Sequence, residues 1–155
     1  MNTQHKEPDV VTQAVIGCDA AMRAAQAAIA AARELGVRVN VAVCDSAGHL
    51  AAFLRMPGAF VQSIDIAIDK AHTAAGFGFP TGDWMRAVEG NEGMKLGFSA
   101  RSRLVVFGGG LPIRIDGRLV GGVGVSGASE AQDEACAQAA LAALGAADEH
   151  AQEQG

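Results

Sequence analysis

The chain has 155 residues, half of them apolar, with 12 lysines and arginines against 17 aspartates and glutamates, for a formal charge of −5. That length fits one domain and buries roughly 70% of the unfolded surface, so no disulfide or metal staple is required. The acidic balance argues against nucleic acid or an anionic membrane as partner, since both need clustered cations. No apolar run approaches the ~20 residues of a membrane span.

Met1 to Asp9 is polar and lacks the basic-then-apolar order of a signal peptide, so a cytoplasmic protein is expected. Cys18, Cys44 and Cys136 lie far apart without Cys-x-x-Cys spacing. They build neither a disulfide framework, nor a zinc site, nor a c-type heme attachment, and are expected to be small buried thiols. Twenty glycines and no tyrosine point instead to a tightly layered domain.

The domain is expected over residues 12–145, with polar tails at 1–11 and 146–155 that carry His5 and His150. Ile16, Ala20, Ala24, Ala27, Ala31 and Leu35 recur at helical spacing, and Gly36 stands where a C-cap glycine belongs. Val37, Val39, Val41 and Val43 then alternate as a strand, and Asp45-Ser46-Ala47-Gly48 has type I turn chemistry. A second strand runs from His49 to Met56 and stops at Pro57-Gly58. Helical period returns over Val61 to Ala75. Asp83 can cap a short helix through Val88, and residues 90–102 read as an exposed loop. Strands follow at Leu104–Phe107 and Ile113–Ile115, an Asp116-Gly117 turn of type I′ chemistry, and a strand at Leu119–Ser126. An alanine-rich helix closes the domain from Ser129 to Leu144. Hairpins without crossovers predict an α+β domain with an antiparallel sheet of about five strands covered by helices.

On the last strand, period two puts Val123 and Val125 on one face and Gly122, Gly124 and Ser126 on the other. That bare backbone admits a close helix, another subunit or a flat ligand. Gly108-Gly109-Gly110-Leu111-Pro112 is either a turn or a loop whose N–H groups hold an anion; no Walker or Rossmann pattern surrounds it. On the middle helix, Lys70 and Thr73 lie between apolar Ile66 and Phe77, as at a second buried contact. Burying Lys70 alone is costly, so a ligand anion or a neighbouring subunit is expected to supply its counter-charge. His72 can ligate a metal or move a proton, but no second histidine stands four residues on. His49 reads as a surface strand residue, and Met56 as a core residue or, beside Arg55, part of a ligand contact. Asp133 can cap the last helix or complement its dipole. Ser126 has no neighbour in sequence that would activate it.

Five local patterns then coincide in order: Val-Ala-Val-Cys-Asp-Ser-Ala-Gly-His-Leu (41–50), Arg-Met-Pro-Gly-Ala (55–59), Ile-Asp-Lys-Ala-His-Thr-Ala (68–74), Gly-Gly-Gly-Leu-Pro-Ile (108–113) and Val-Gly-Gly-Val-Gly-Val-Ser-Gly-Ala-Ser-Glu-Ala-Gln-Asp (120–133). In combination they resemble the GlcG/HbpS-like family, which includes bacterial heme-binding proteins and the C-terminal domain of PduO-type adenosyltransferases. The resemblance implies a profilin-like domain assembled into homo-oligomers, with heme as a cofactor in some members. It places Lys70 and Thr73 at a pocket and aligns Gly109, Gly110, Pro112, Ser126, Gly127 and Asp133 with family motifs. Histidines and a threonine are candidate heme ligands in such proteins, and here His72 and Thr73 are adjacent.

Two functions remain open on the sequence, with no choice between enzyme and binding protein. One is a cytoplasmic heme- or tetrapyrrole-binding protein, with heme degradation as an extension and His72 as the metal ligand. The other is a cofactor-independent isomerase, decarboxylase or lyase acting on a small oxygenated acid in a catabolic pathway. There, Arg55 and Lys70 would hold carboxylates, Gly109 and Gly110 an oxyanion, and His72 or Asp133 a proton. A non-catalytic accessory subunit is a variant of the second. In either case a small-molecule ligand and a homo-oligomer, at least a dimer, are expected, with Lys70 and Thr73 beside a pocket near the subunit boundary.

Overall fold

The computed structural model describes residues 6–146, so His5 and His150 lie outside the described residues. Helix α1 (Cys18–Leu35) is alanine-rich and ends at Gly36, whose left-handed φ of 70° lets its N–H cap the last carbonyls. Strands β1 (Asn40–Asp45) and β2 (Leu50–Arg55) form the first hairpin. Its turn is closed by Gly48 N–H to Asp45 O at 3.0 Å. Helix α2 (Gln62–Phe77) follows, then a 3₁₀ turn (Thr81–Asp83), α3 (Trp84–Ala87) and α4 (Glu92–Ser99). Strands β3 (Gly110–Ile115) and β4 (Arg118–Ser126) make the second hairpin, and α5 (Glu130–Ala143) ends the fold. Positive φ at both Asp116 (53°) and Gly117 (75°) fits the expected I′ turn.

The sheet is antiparallel throughout, in the order β2-β1-β4-β3. Val39, Val41, Val43, Val123 and Val125 face α1 and α5 and form the main core with their alanines. Ala42 and Cys44 face Ala67, Ala71 and Ala75 of α2 in a smaller one. The result is three layers: two helices, the sheet, and α2.

Three expectations change. The sheet has four strands among the described residues, because Leu104–Phe107 joins no ladder. Thr73 holds that segment instead: its hydroxyl donates to Arg103 O and accepts from Val105 N–H, both at 3.1 Å. The loop expected at 90–102 contains α4, capped by Asn91, whose side chain accepts from Met94 N–H. Finally, Cys18 is exposed rather than buried.

The bare strip on β4 is packed by a helix. A Cβ at Gly122 would meet Ala71 O at 2.5 Å, and one at Gly124 would strike Ala67 O and Ala71 N–H. Gly122 and Gly124 therefore cannot be a ligand floor or a subunit contact; of the strip, only Ser126 at its end stays clear of the helix and borders a cavity. Pro112 sits on β3, an edge strand, where its missing N–H costs no ladder bond.

Candidate functional site

The two helical layers meet just past the end of β4. There Lys70 of α2 and Asp133 of α5 come together although 63 residues separate them. The lysine stem passes positions without side chains: a Cβ at Gly124 would lie 2.9 Å from Lys70 Cβ, and one at Gly109 would lie 2.5 Å from Nζ. Lys70 Nζ donates to Val125 O at 2.8 Å and to Asp133 Oδ2 at 3.3 Å, and lies 5.1 Å from the centre of the Phe107 ring. Its side chain is 1% exposed and that of Asp133 4%.

Asp133 is fixed from the other side by Ala128 N–H, which donates to Oδ1 at 3.0 Å. Ser129 and Gln132 complete a reciprocal capping box at the start of α5. Burial pushes the Lys70 ammonium below its ordinary pKa, against the pull of Asp133. Burial likewise pushes the Asp133 carboxyl up, opposed by Lys70 and the Ala128 N–H. The two affinities move toward each other, so a proton passes between these groups at less cost than between free side chains.

Beside the pair is a cavity of about 260 Å³. Its polar wall is Lys70, Asp133, Glu130, Ser63 and Ser126, and the exposed rings of Phe60 and Phe107 form its rim. Glu130 accepts from Gly108 N–H at 2.6 Å. Asn40, paired with Ser126 across the sheet, donates to Phe60 O at 3.1 Å.

The structure thus brings together Lys70, Asp133, Ser126 and Gly127, with Gly109 against the lysine. Others lie apart. Thr73 is spent on residues 103–105, which carry the chain toward Phe107. His72 stands against the β1–β2 turn, where a Cβ at Gly48 would meet its ring at 3.2 Å, and its Nδ1 is buried without a partner. That turn and the cavity are at opposite ends of β1, roughly 16 Å apart at ~3.3 Å per residue. Arg55 braces Ala59 O at 2.8 Å, next to Phe60. Two N–H groups of the glycine run are spent within the chain rather than offered to an anion: Gly108 N–H goes to Glu130, and Gly110 N–H to Thr81 Oγ1 at 2.9 Å.

The counter-charge for Lys70 comes from its own chain, so the pairing requires no second subunit. Among the described residues no group of three or more His, Cys, Asp or Glu side chains could hold a metal ion. No helix among them is long and apolar enough to cross a membrane. Burial pushes the Cys44 and Cys136 thiols up to about 11, which removes them as nucleophiles at neutral pH. Glu130, Ser63, Phe60 and Phe107 were invisible as site residues in the sequence. The only local signals were an acid inside a capping box and aromatics flanking glycine turns.

Fold and site together define a small α+β domain with a buried lysine–carboxylate pair on a half-open cavity. A 15.0 kDa protein of Citrobacter freundii, from the dhaT-dhaS intergenic region, is 40% identical over 129 residues, 83% of this chain and 91% of its own length. The Klebsiella pneumoniae protein ORFY superposes with a TM-score of 0.83 at 33% identity, covering 92% of this chain and 99% of that one. The PduOC protein in its heme complex superposes with a TM-score of 0.77 at 32% identity, covering 86% of this chain and 99% of that one. The chain belongs to the family described as haem degrading protein HbpS-like, which it matches over residues 16–142.

Proposed function

We propose that this protein binds heme or a related tetrapyrrole across the rim of the Lys70 cavity, between copies of the chain. The observation that carries the reading is the likeness to the PduOC protein in its heme complex, which extends over 86% of the chain. The rim supports it: Phe60 and Phe107 are 67% and 46% exposed, and offer flat apolar faces to a planar ligand. Covering them gains ~25 cal/mol for each Å² removed from water. Arg55, beside the Phe60 loop, is the cation placed for a propionate, since Lys70 is already paired.

The cavity does not fit the whole group. At about 260 Å³ it falls below the ~300–1,000 Å³ of pockets that enclose drug-sized ligands. No histidine, methionine or cysteine lines it, so an iron ligand would come from outside its wall. Bound heme would supply an iron centre capable of redox and ligand exchange. This chain's residues would supply the aromatic seat, the cation and the exclusion of water on one side.

Hemin titration tests the reading. The expected result is a saturable Soret shift, weakened at least tenfold in Phe60→Asp and Phe107→Asp and unchanged in His72→Ala. Loss of the shift in His72→Ala alone would move the site to the β1–β2 turn. An unsaturable titration would reject heme.

The cavity's size and polar wall favour a second reading, a cofactor-independent enzyme for a small oxygenated compound. Its isomerase, decarboxylase or lyase character would rest on the Lys70–Asp133 proton pair. Two carboxylates face one ammonium there, which disfavours an anionic acid as the substrate.

A further inference from the structure

Among the described residues Lys70 is the one buried cation, the heme reading leaves it unused, and its amine lines the cavity. We infer that Lys70 is a carbonyl-capturing lysine: its Nζ forms a Schiff base with a small neutral aldehyde or ketone admitted to the cavity, and Asp133 moves the protons. This rests on the cavity alone and stands whether or not heme lies across the rim.

Geometry carries it. Val125 O and Asp133 Oδ2 take two of the N–H directions of Nζ. Once the proton is on Asp133 Oδ2, the acid O–H meets the amine lone pair. A turn about Cε–Nζ that keeps one N–H on Val125 O, with the acid hydroxyl turning to accept the other, frees the lone pair into the remaining tetrahedral direction. Lys70 borders the cavity together with Phe107. The cavity is half-open, but the Lys70 side chain is 1% exposed, and desolvation of this kind is what makes lysines serve as nucleophiles. Burial lowers the proton affinity of Lys70 and raises that of Asp133, so the neutral amine is more accessible than on a free lysine.

The step balances. With the pair's proton on Asp133, Nζ attacks the carbonyl carbon, a C–N bond forms, and the π pair moves to oxygen. A proton passes from nitrogen to that oxygen, giving the carbinolamine. Asp133 then protonates the hydroxyl, which leaves as water as the C=N bond forms. The products are an iminium beside an aspartate, the same charges as the starting ion pair, and nothing is oxidised.

Size and charge define the class of compound. About 260 Å³, against ~30 Å³ per water in the liquid, holds on the order of eight non-hydrogen atoms. Glu130 and Asp133 outnumber Lys70 in charge, so a neutral carbonyl is favoured over an acid of the same class. Ser63 and Ser126 can bond a hydroxyl on such a compound.

The chain has three lysines, Lys6, Lys70 and Lys95, which makes the test clean. The full-length protein is incubated with glycolaldehyde, or with glyoxylate as the anionic aldehyde, in the presence of cyanoborohydride, and adducts are mapped by peptide mass. The expected result is labelling of Lys70 ahead of Lys95 in the same sample, with a higher Lys70-to-Lys95 ratio for glycolaldehyde than for glyoxylate. Labelling of Lys70 should also reach its plateau at lower pH than labelling of free Nα-acetyl-lysine. Asp133→Asn should slow the adduct at least tenfold at unchanged circular dichroism, and Lys70→Arg should abolish it. Wild-type protein labelled at Lys6 and Lys95 with Lys70 untouched overturns the proposal, even if neither variant folds. A higher ratio for glyoxylate overturns the neutral class.

Discussion

Lys70 reaches Asp133 along a path kept open by Gly109 and Gly124, and Gly109 also needs its positive φ of 123°. The pair it forms costs the fold at neutral pH, because burial opposes both charges. The sign follows from linkage. The Asp133 carboxyl is raised, so its favourable contribution is present below the unfolded value of 3.8 and is lost as pH rises through the folded value. The Lys70 amine is lowered, so its contribution is present above 10.5 and is lost as pH falls through the folded value. Lys70→Met leaves Asp133 buried and unpaired, and should lose about 3 kcal/mol at pH 7. Urea titrations should find that loss shrinking toward pH 4, as the carboxyl takes a proton. Adding Asp133→Asn should restore stability at pH 7 and flatten the pH dependence; a double variant no more stable than Lys70→Met would reject the buried-charge account. Thr73 works through its hydroxyl in another way. Thr73→Val strands Arg103 O and Val105 N–H for about 2 kcal/mol. Hydrogen exchange should then quicken at residues 103–107 before the rest of the chain, loosening the Phe107 side of the cavity.

At the scale of elements, the contact between α2 and β4 is backbone against backbone. Gly124→Ala would drive a methyl into Ala67 O and Ala71 N–H, which no rotamer can relieve. A loss of about 3 kcal/mol is expected, seen as a Tm lower by roughly 6–12 °C for a chain of this length. Gly76→Ala, on the same helix with nothing within 4 Å of the new methyl, should instead raise Tm, by up to ~1 kcal/mol of helix propensity. If both substitutions cost alike, the close approach is not what selects glycine on β4. Period alone exposed most elements: α1, α2, both hairpins and α5 were legible because their apolar residues repeat at three to four or at two. Helix α4 was hidden because Gly93 and Gly97 erase its propensity, leaving Asn91 as its one clear signal. Leu104–Phe107 has a strand's composition, but Thr73 binds its backbone first, and no local pattern records a partner 30 residues away. The same limit applied to the site. Lys70 between Ile66 and Phe77 announced a buried cation, while its counter-ion had to await the packing of α5 on the sheet.

For the molecule as a whole, the three layers leave one face of the cavity uncovered. Phe60 and Val61 are 67% and 65% exposed beside it, with Phe107 across the rim. A planar ligand laid on those rings would still show its other face to water, and a second copy of the same rim would cover it by two-fold symmetry. A stable interface needs about 1,200–2,000 Å² in total, more than the two rims offer alone, so neighbouring surface must join them. The net charge of −5 opposes such pairing only weakly at physiological salt, where screening acts within ~8 Å. Light scattering at micromolar concentration should therefore report at least two chains per particle, with hemin raising the share of the larger species. Phe60→Asp with Val61→Asp places four like charges at a two-fold contact. It should shift the population toward monomer and weaken hemin together, at unchanged circular dichroism. A wild-type monomer that binds hemin one to one would refute the shared site. An oligomer indifferent to the double substitution would place the interface on another face.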